Sequence, residues 1–191
     1  MTGGPVLTTM TTGEAVAGAL VRHGVGTVFG IAGAHMYDFT DAVARTDELD
    51  FYVTRLEQGA GYMAFGYTTS TGRTGVFTVV PGPGVLNASV VLCTAFGANA
   101  PVLCVTGNVM SDFIGRGRGQ LHELPDQLAT MRGFARWAER INHPSKAPGL
   151  VAEAFRLLPN PIRTRYARRP GSSRGPGTRS SSSATIIRLA C

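Results

Sequence analysis

The chain has 191 residues, 43% apolar and 16% charged, which is enough for one domain with a proper core and too apolar for a disordered chain. No apolar run approaches the roughly 20 residues of a membrane helix, and no basic segment followed by a long apolar run opens the chain, so neither a membrane span nor a secretory leader is expected. The formal charge is +6, but seven of the 18 basic residues are arginines beyond Asn160, where no acid occurs; the 11 basic and 12 acidic residues before it exclude a basic body that grips nucleic-acid backbones.

Thr11-Thr12-Gly13-Glu14 has the pattern of an N-cap with a glutamate in the first turn, and Val16, Leu20 and Val21 then recur at helical spacing up to Gly24. Thr27 to Ile31 is a short buried strand. It ends in Ala32-Gly33-Ala34, a turn expected to open a second helix through Met36, Phe39 and Val43. Asp47 to Asp50 is a polar loop, and Phe51 to Thr54 is the next strand. The segment from Arg55 to Tyr67 follows as a helix with Ala60, Met63, Ala64 and Tyr67 on its buried face. Its glycines at 59, 61 and 66 each cost about 1 kcal/mol against alanine in a helix, so something is expected to pack closely there. Gly75 to Val80 is a continuous apolar strand, as in a parallel sheet covered on both faces. Pro81-Gly82-Pro83-Gly84 breaks it, and a helix follows with Leu86, Val90, Cys93 and Gly97 on one stripe. Val102 to Thr106 is a further strand, ended by Gly107-Asn108. A Gly/Arg loop spans 115–119, a helix covers Pro125 to Met131, a short strand holds Trp137 and Ala138, and a last helix runs from Lys146 to Leu158.

Strands alternating with helices predict an α/β fold, a doubly wound, mostly parallel sheet flanked by helices. The domain is placed at 11–158, after a flexible N-terminus of residues 1–10. Residues 170 to 183 use only Pro, Gly, Ser, Arg and Thr, so 159–191 reads as a disordered basic tail. The cysteines at 93, 104 and 191 have neither disulfide-framework nor zinc spacing. The first two are expected as reduced core thiols, which points to a cytoplasmic setting.

Sheets of this class bind ligands beyond the carboxyl ends of their strands. Glu57, Gly33 and the Pro81–Gly84 turn all fall there. Glu57 has a plain reading, an acid favoured by the helix dipole, and a sharper one, a carboxyl that bonds a cofactor nitrogen under a cover of Leu56, Tyr62 and Met63. Pro81–Gly84 removes side chains at a strand end and so lets a flat ring approach backbone groups. Asn87 lies one turn further, as a cap or packing residue. Neither a dinucleotide fingerprint nor a P-loop is present. His35 and His122 are isolated, without a second ligand at metal spacing, and read as turn or surface histidines.

Taken together, these stretches resemble the N-terminal, pyrimidine-binding (Pyr) domain of the thiamine diphosphate enzymes related to acetolactate synthase and benzoylformate decarboxylase. The resemblance rests on Thr12-Gly13-Glu14-Ala15, on Val28 to His35, on Arg55 to Tyr67, on Pro81 to Gly84 with Asn87, and on Pro101 to Leu103, Thr106-Gly107 and the region from Gln120 to Trp137. It implies that Glu57 bonds N1′ of the cofactor's aminopyrimidine and promotes the imino tautomer that activates the thiazolium carbon. It also implies that Gly33, Pro81, Gly82, Gly84 and Asn87 line the cofactor, and that His35, Gln120 and His122 lie on the substrate side. Two departures accompany it. Ala32 stands where relatives commonly carry proline, and the Gly-Asp-Gly…Asn motif that holds magnesium and the diphosphate does not occur. The resemblance therefore implies half a site, completed by a homodimer partner or a subunit carrying the diphosphate-binding domain, with a small 2-oxo acid as substrate and no metal ligand in this chain. A truncated or frame-shifted product is the corresponding expectation. The alternative is a non-catalytic binding or dimerisation module of the same fold. Nucleic-acid binding through the Arg tail is disfavoured because no aromatic residue beyond Tyr166 interleaves it.

Overall fold

The computed structural model describes residues 9–158 and the strand Ala184–Leu189; expectations placed on 1–8, 159–183 and 190–191 lie outside the described residues. In chain order the elements are α1 (Thr12–Arg22), β1 (Thr27–Gly30), α2 (Tyr37–Ala44), β2 (Asp50–Val53), α3 (Glu57–Thr71), β3 (Gly75–Val79), α4 (Pro83–Ala98), β4 (Val102–Thr106), α5 (Gln127–Arg132), β5 (Trp137–Ile141), α6 (Ala147–Leu157) and β6 (Ala184–Leu189). Local chemistry sets several boundaries. The Glu14 N–H donates to Thr11 Oγ1 at 3.1 Å and the Thr11 N–H to Glu14 Oε2 at 2.8 Å, a reciprocal capping box that starts α1. Gly72, at φ 72°, closes α3 in the left-handed conformation that favours glycine.

All six strands are parallel, in the order β2-β1-β3-β4-β6-β5. Successive residues of a strand face opposite sides. Val28, Val76, Leu103 and Val105 accordingly pack in one core with α1, α2 and α6, while Phe29, Phe77, Val102 and Cys104 pack in a second core with α3, α4 and α5. β3 and β4 are buried along their whole length, as their unbroken apolar runs require. The expected doubly wound α/β architecture is therefore formed. The chain runs outward from β1 to β2 and returns to place β3 on the other side of β1, so the sheet reverses its winding between β1 and β3. That reversal opens a crevice at their carboxyl ends.

Four expectations need correction. α2 does not begin on Ala32-Gly33-Ala34; the turn runs on through His35, held at φ 65°, and the helix starts at Tyr37. Ala60 and Ala64 of α3 are buried as expected, but Met63 is exposed. On α4 the stripe of Leu86, Val90, Cys93 and Gly97 lies on the open side, and the buried stripe is Val85, Ala88, Leu92 and Ala95. Cys93 is thus exposed rather than a core thiol, whereas Cys104 is fully buried and its thiol is pushed well above the ordinary range by that burial. Within the stretch expected as tail, Ala184–Leu189 forms β6 and pairs with both β4 and β5 as the strand between them. Thr185-Ile186-Ile187 is a β-branched run of the kind strands favour, masked in sequence by the low-complexity residues before it.

The three glycines of α3 divide by environment. A Cβ on Gly61 would come within 3.0 Å of Val91 on α4, so this glycine sets the close approach of the two helices, whereas nothing lies within 4 Å of a Cβ on Gly66. Gly66→Ala is expected to stabilise the chain by about 1 kcal/mol in urea denaturation through helix propensity alone. Gly61→Ala is expected to gain nothing because Val91 must move. Equal gains at both positions would contradict this packing.

Candidate functional site

The turns after β1, β2, β3 and β4 come together at the crevice where the winding reverses. The Ile31 N–H donates to the Thr78 carbonyl at 3.2 Å and the Thr54 N–H to the Gly30 carbonyl at 2.8 Å, which ties three strand ends to one another. A Cβ on Gly33 would lie 2.6 Å from Val80 Cγ1, and one on Gly84 2.6 Å from Val80 Cγ2. The turns after β1 and β3 therefore close on the same valine and present a floor almost free of side chains.

Glu57 is the first residue of α3, behind an extended Leu56 that makes no side-chain cap. Its Oε2 accepts from Asn87 Nδ2 at 3.2 Å, one turn into α4, and Oε1 has no hydrogen bond to any described residue. A Cβ on Gly84 would come within 3.6 Å of Glu57 Cγ. The sequence positions of Glu57, Gly84 and Asn87 thus converge on one carboxylate. The apolar cover expected from Leu56, Tyr62 and Met63 is not in place, since these side chains are 67%, 43% and 43% exposed.

The Pro81–Gly84 turn is held from behind. Gly82 sits at φ 60°, and the carbonyl of His122 occupies the space its Cβ would need. The Gly82 N–H donates to Gln127 Oε1 at 2.9 Å, and Gln127 Nε2 donates to the Gly107 carbonyl at 3.0 Å. Gln127 is 1% exposed. Sequence reasoning missed it: a polar residue in the first turn of an amphipathic helix is ordinary, and no spacing distinguishes it.

His35 and His122 are brought together across 86 residues of chain. Both adopt left-handed backbone conformations, at φ 65° and 66°, and their rings meet edge to face with centroids 6.0 Å apart. His35 Nε2 lies 3.1 Å from the Leu121 carbonyl, which sets it as the donor nitrogen. His122 is half-buried and its Nδ1 is a buried atom without a hydrogen-bond partner. Burial, and then the neighbouring His35, hold His122 below the usual imidazole range, while the nearby charge of Glu57 acts in the opposite direction. Gln120 is placed through its backbone, its N–H donating to Glu123 Oε2 at 2.9 Å, and its side chain makes no hydrogen bond to Glu57. Glu123 closes this loop with a second bond from the Gly117 N–H at 3.1 Å.

The arrangement offers one free carboxylate oxygen above a floor of glycine turns, with an imidazole pair alongside. That suits a flat heteroaromatic ring bonded through a ring nitrogen. A family profile described as "Thiamine pyrophosphate enzyme, N-terminal TPP binding domain" matches residues 10–130. The chain belongs to this family. Thiamine diphosphate is accordingly the cofactor its domain is built for, and the free Oε1 of Glu57 with the side-chain-free turns fits the pyrimidine end of that molecule. The chain is 34% identical over 81% of its length to the "Probable 2-ketoarginine decarboxylase" of Pseudomonas aeruginosa, of which it spans 28%. It is 31% identical over 80% of its length to the mitochondrial acetolactate synthase catalytic subunit of Saccharomyces cerevisiae, of which it spans 22%. It is also 33% identical over 77% of its length to the sulfoacetaldehyde acetyltransferase of Rhodobacter capsulatus, of which it spans 24%. The chain thus spans about a quarter of the length of these relatives. Among the described residues no cluster of three His, Cys, Asp or Glu could hold a metal ion, and no helix is long and apolar enough to cross a membrane.

His122 gives a prediction with a definite sign. Because its folded pKa is depressed, the unfolded chain binds the proton more readily; its contribution to stability is complete above the unfolded value and is lost as pH falls through the folded one. By NMR its imidazole is expected to titrate below the ordinary 6.5, to move upward in His35→Ala and to move further down in Glu57→Gln. Titration at or above the ordinary value, indifferent to both substitutions, would contradict this geometry.

Proposed function

We propose that the chain supplies the pyrimidine side of a thiamine diphosphate site in an enzyme that decarboxylates or ligates small 2-oxo acids. The observation that carries this reading is Glu57, with Oε2 fixed by Asn87 and Oε1 free beside the glycine turns. In this reading Glu57 is the catalytic acid–base and holds a proton at Oε1 against the pyrimidine ring. Asn87 positions the carboxylate, and Gly33, Pro81, Gly82 and Gly84 form the bed on which the ring lies. When bound, the cofactor supplies the electron sink for carbon–carbon cleavage, and the protein supplies orientation and electrostatics. His35 and His122 face the substrate side, where the depressed His122 stays neutral and able to accept a proton; Gln120 completes that side through its loop. The printed names of the relatives, a decarboxylase, a synthase and an acetyltransferase, support 2-oxo acids or acyl donors as the substrate class.

The diphosphate and magnesium fall to a diphosphate-binding domain, carried by a homodimer partner or another subunit. The open side of the domain supports such a docking. Tyr62 and Met63 of α3 and Leu86, Val90 and Phe96 of α4 are all exposed on helices that pack side by side, joined at Gly61 and Val91. An exposed apolar face of this kind marks an interaction surface, and a partner seated there would supply the cover that Glu57 lacks. The same face also favours the second reading, a dimerisation module that turns nothing over.

Glu57→Gln separates the two. In the chain combined with a diphosphate-binding domain, thiamine-dependent turnover is expected to drop at least about 100-fold, the scale of a lost acid–base group, with association unchanged. Turnover that survives the substitution would remove Glu57 from the chemistry. No thiamine-dependent turnover in either protein, with association intact, would favour the module.

A further inference from the structure

A neutral imidazole can accept a proton at one nitrogen or donate a hydrogen bond from the other, and the surroundings of His122 favour the second. Its two ring nitrogens differ. Nδ1 is a buried atom with no hydrogen-bond partner. Nε2 is likewise unbonded among the described residues but keeps accessible surface on this half-buried side chain. The acceptors of the adjoining turn and loop are engaged elsewhere. Gln127 Oε1 takes the Gly82 N–H, on the turn against which the His122 carbonyl packs. The two oxygens of Glu123 take the Gly117 and Gln120 N–H groups, and the Leu121 carbonyl lies 3.1 Å from His35 Nε2. A proton on Nδ1 would therefore be a buried donor without an acceptor, which folded proteins avoid more strictly than an unused lone pair. The neutral ring accordingly carries its proton on Nε2. Uptake of a second proton would have to fill Nδ1. The charge of Glu57 favours that step, but burial and the neighbouring His35 outweigh it.

We infer that His122 meets the substrate as a neutral hydrogen-bond donor, its Nε2–H bonding the oxo oxygen of a 2-oxo acid, an inference that rests on the thiamine reading of the crevice. The chemistry of the substrate class agrees. At its reacting end a 2-oxo acid presents a carbonyl and an ionised carboxylate, which are acceptors only. A base finds no proton there to remove, whereas a donor finds oxygens to hold. A fixed donor at an oxygen where negative charge develops stabilises that charge without having to reorganise. His35 is the positioning residue: its bond to the Leu121 carbonyl holds the residue before His122, and its ring meets that of His122 edge to face.

Heteronuclear NMR of the isotope-labelled full chain reads the tautomer directly, with neither cofactor nor partner present. At neutral pH His122 is expected to show a protonated Nε2 and an unprotonated Nδ1. The substrate role is read as thiamine-dependent turnover in the chain combined with a diphosphate-binding domain, with pyruvate or 2-ketoarginine as the 2-oxo acid. His122→Gln keeps an N–H donor near the reach of Nε2 but cannot take up a proton, and His122→Leu keeps neither property. Both variants carry the same backbone strain at φ 66°, so their difference reports the donor. Turnover is expected to fall by less than about tenfold in His122→Gln and at least about 100-fold in His122→Leu, the scale of one lost donor. A proton on Nδ1 at neutral pH, or equal losses in the two variants, would overturn the inference. Absence of turnover in the wild-type combination would overturn the thiamine reading and the substrate role with it, whichever tautomer the spectrum shows.

Discussion

Gln127 accepts from the Gly82 N–H and donates to the Gly107 carbonyl, and in doing so ties the turn after β3 to the turn after β4. Both partners are backbone groups buried at the carboxyl edge of the sheet. Left unpaired, each would cost about 1–3 kcal/mol, so the clamp fixes where the chain can run. Gly82 is held at a positive φ, which leaves room for the His122 carbonyl, and Gly107 leaves room for the His35 carbonyl. The two histidine loops are thereby seated on the two turns, and Gly84 is carried to Glu57. The buried Gln127 amide thus holds the two turns in register.

The floor of the site is finished within the domain and its roof is not. Tight packing of Gly33 and Gly84 on Val80 gives the floor, whereas Leu56, Tyr62 and Met63 stand open to solvent. In the proposed role the Glu57 carboxylate would exchange a proton with a ring nitrogen, which works best where water is excluded. The open apolar faces of α3 and α4 adjoin that carboxylate, so under the proposed function a partner docked on them would also dry the site. A Cβ on Gly59 or Gly66 would meet no neighbour closer than 4.0 Å within the chain.

Much of this was legible in the sequence. Unbroken apolar runs at 75–80 and 102–106 identified the buried parallel strands, and turns rich in glycine at strand ends placed Glu57, Gly33 and Pro81–Gly84 at one edge. What periodicity could not do was choose a face for α4. Val85, Leu86, Val90, Val91 and Leu92 are apolar all round the helix, and the burying stripe is the one with small Ala88 and Ala95, which admits close approach to the sheet. β6 was hidden by its neighbourhood, since a six-residue strand carries little weight beside fourteen residues of Pro, Gly, Ser, Arg and Thr. Gln127 and the meeting of His35 with His122 arise from contacts far apart in the chain, which no local pattern encodes.

The central claim is that this domain holds the pyrimidine end of thiamine diphosphate through Glu57 and leaves the other end to a partner. Calorimetric titration with thiamine diphosphate and magnesium, with and without a diphosphate-binding domain, tests it most directly. The account predicts tight binding only for the combination. Tight binding by the 191-residue chain alone, or none by the combination, would contradict it.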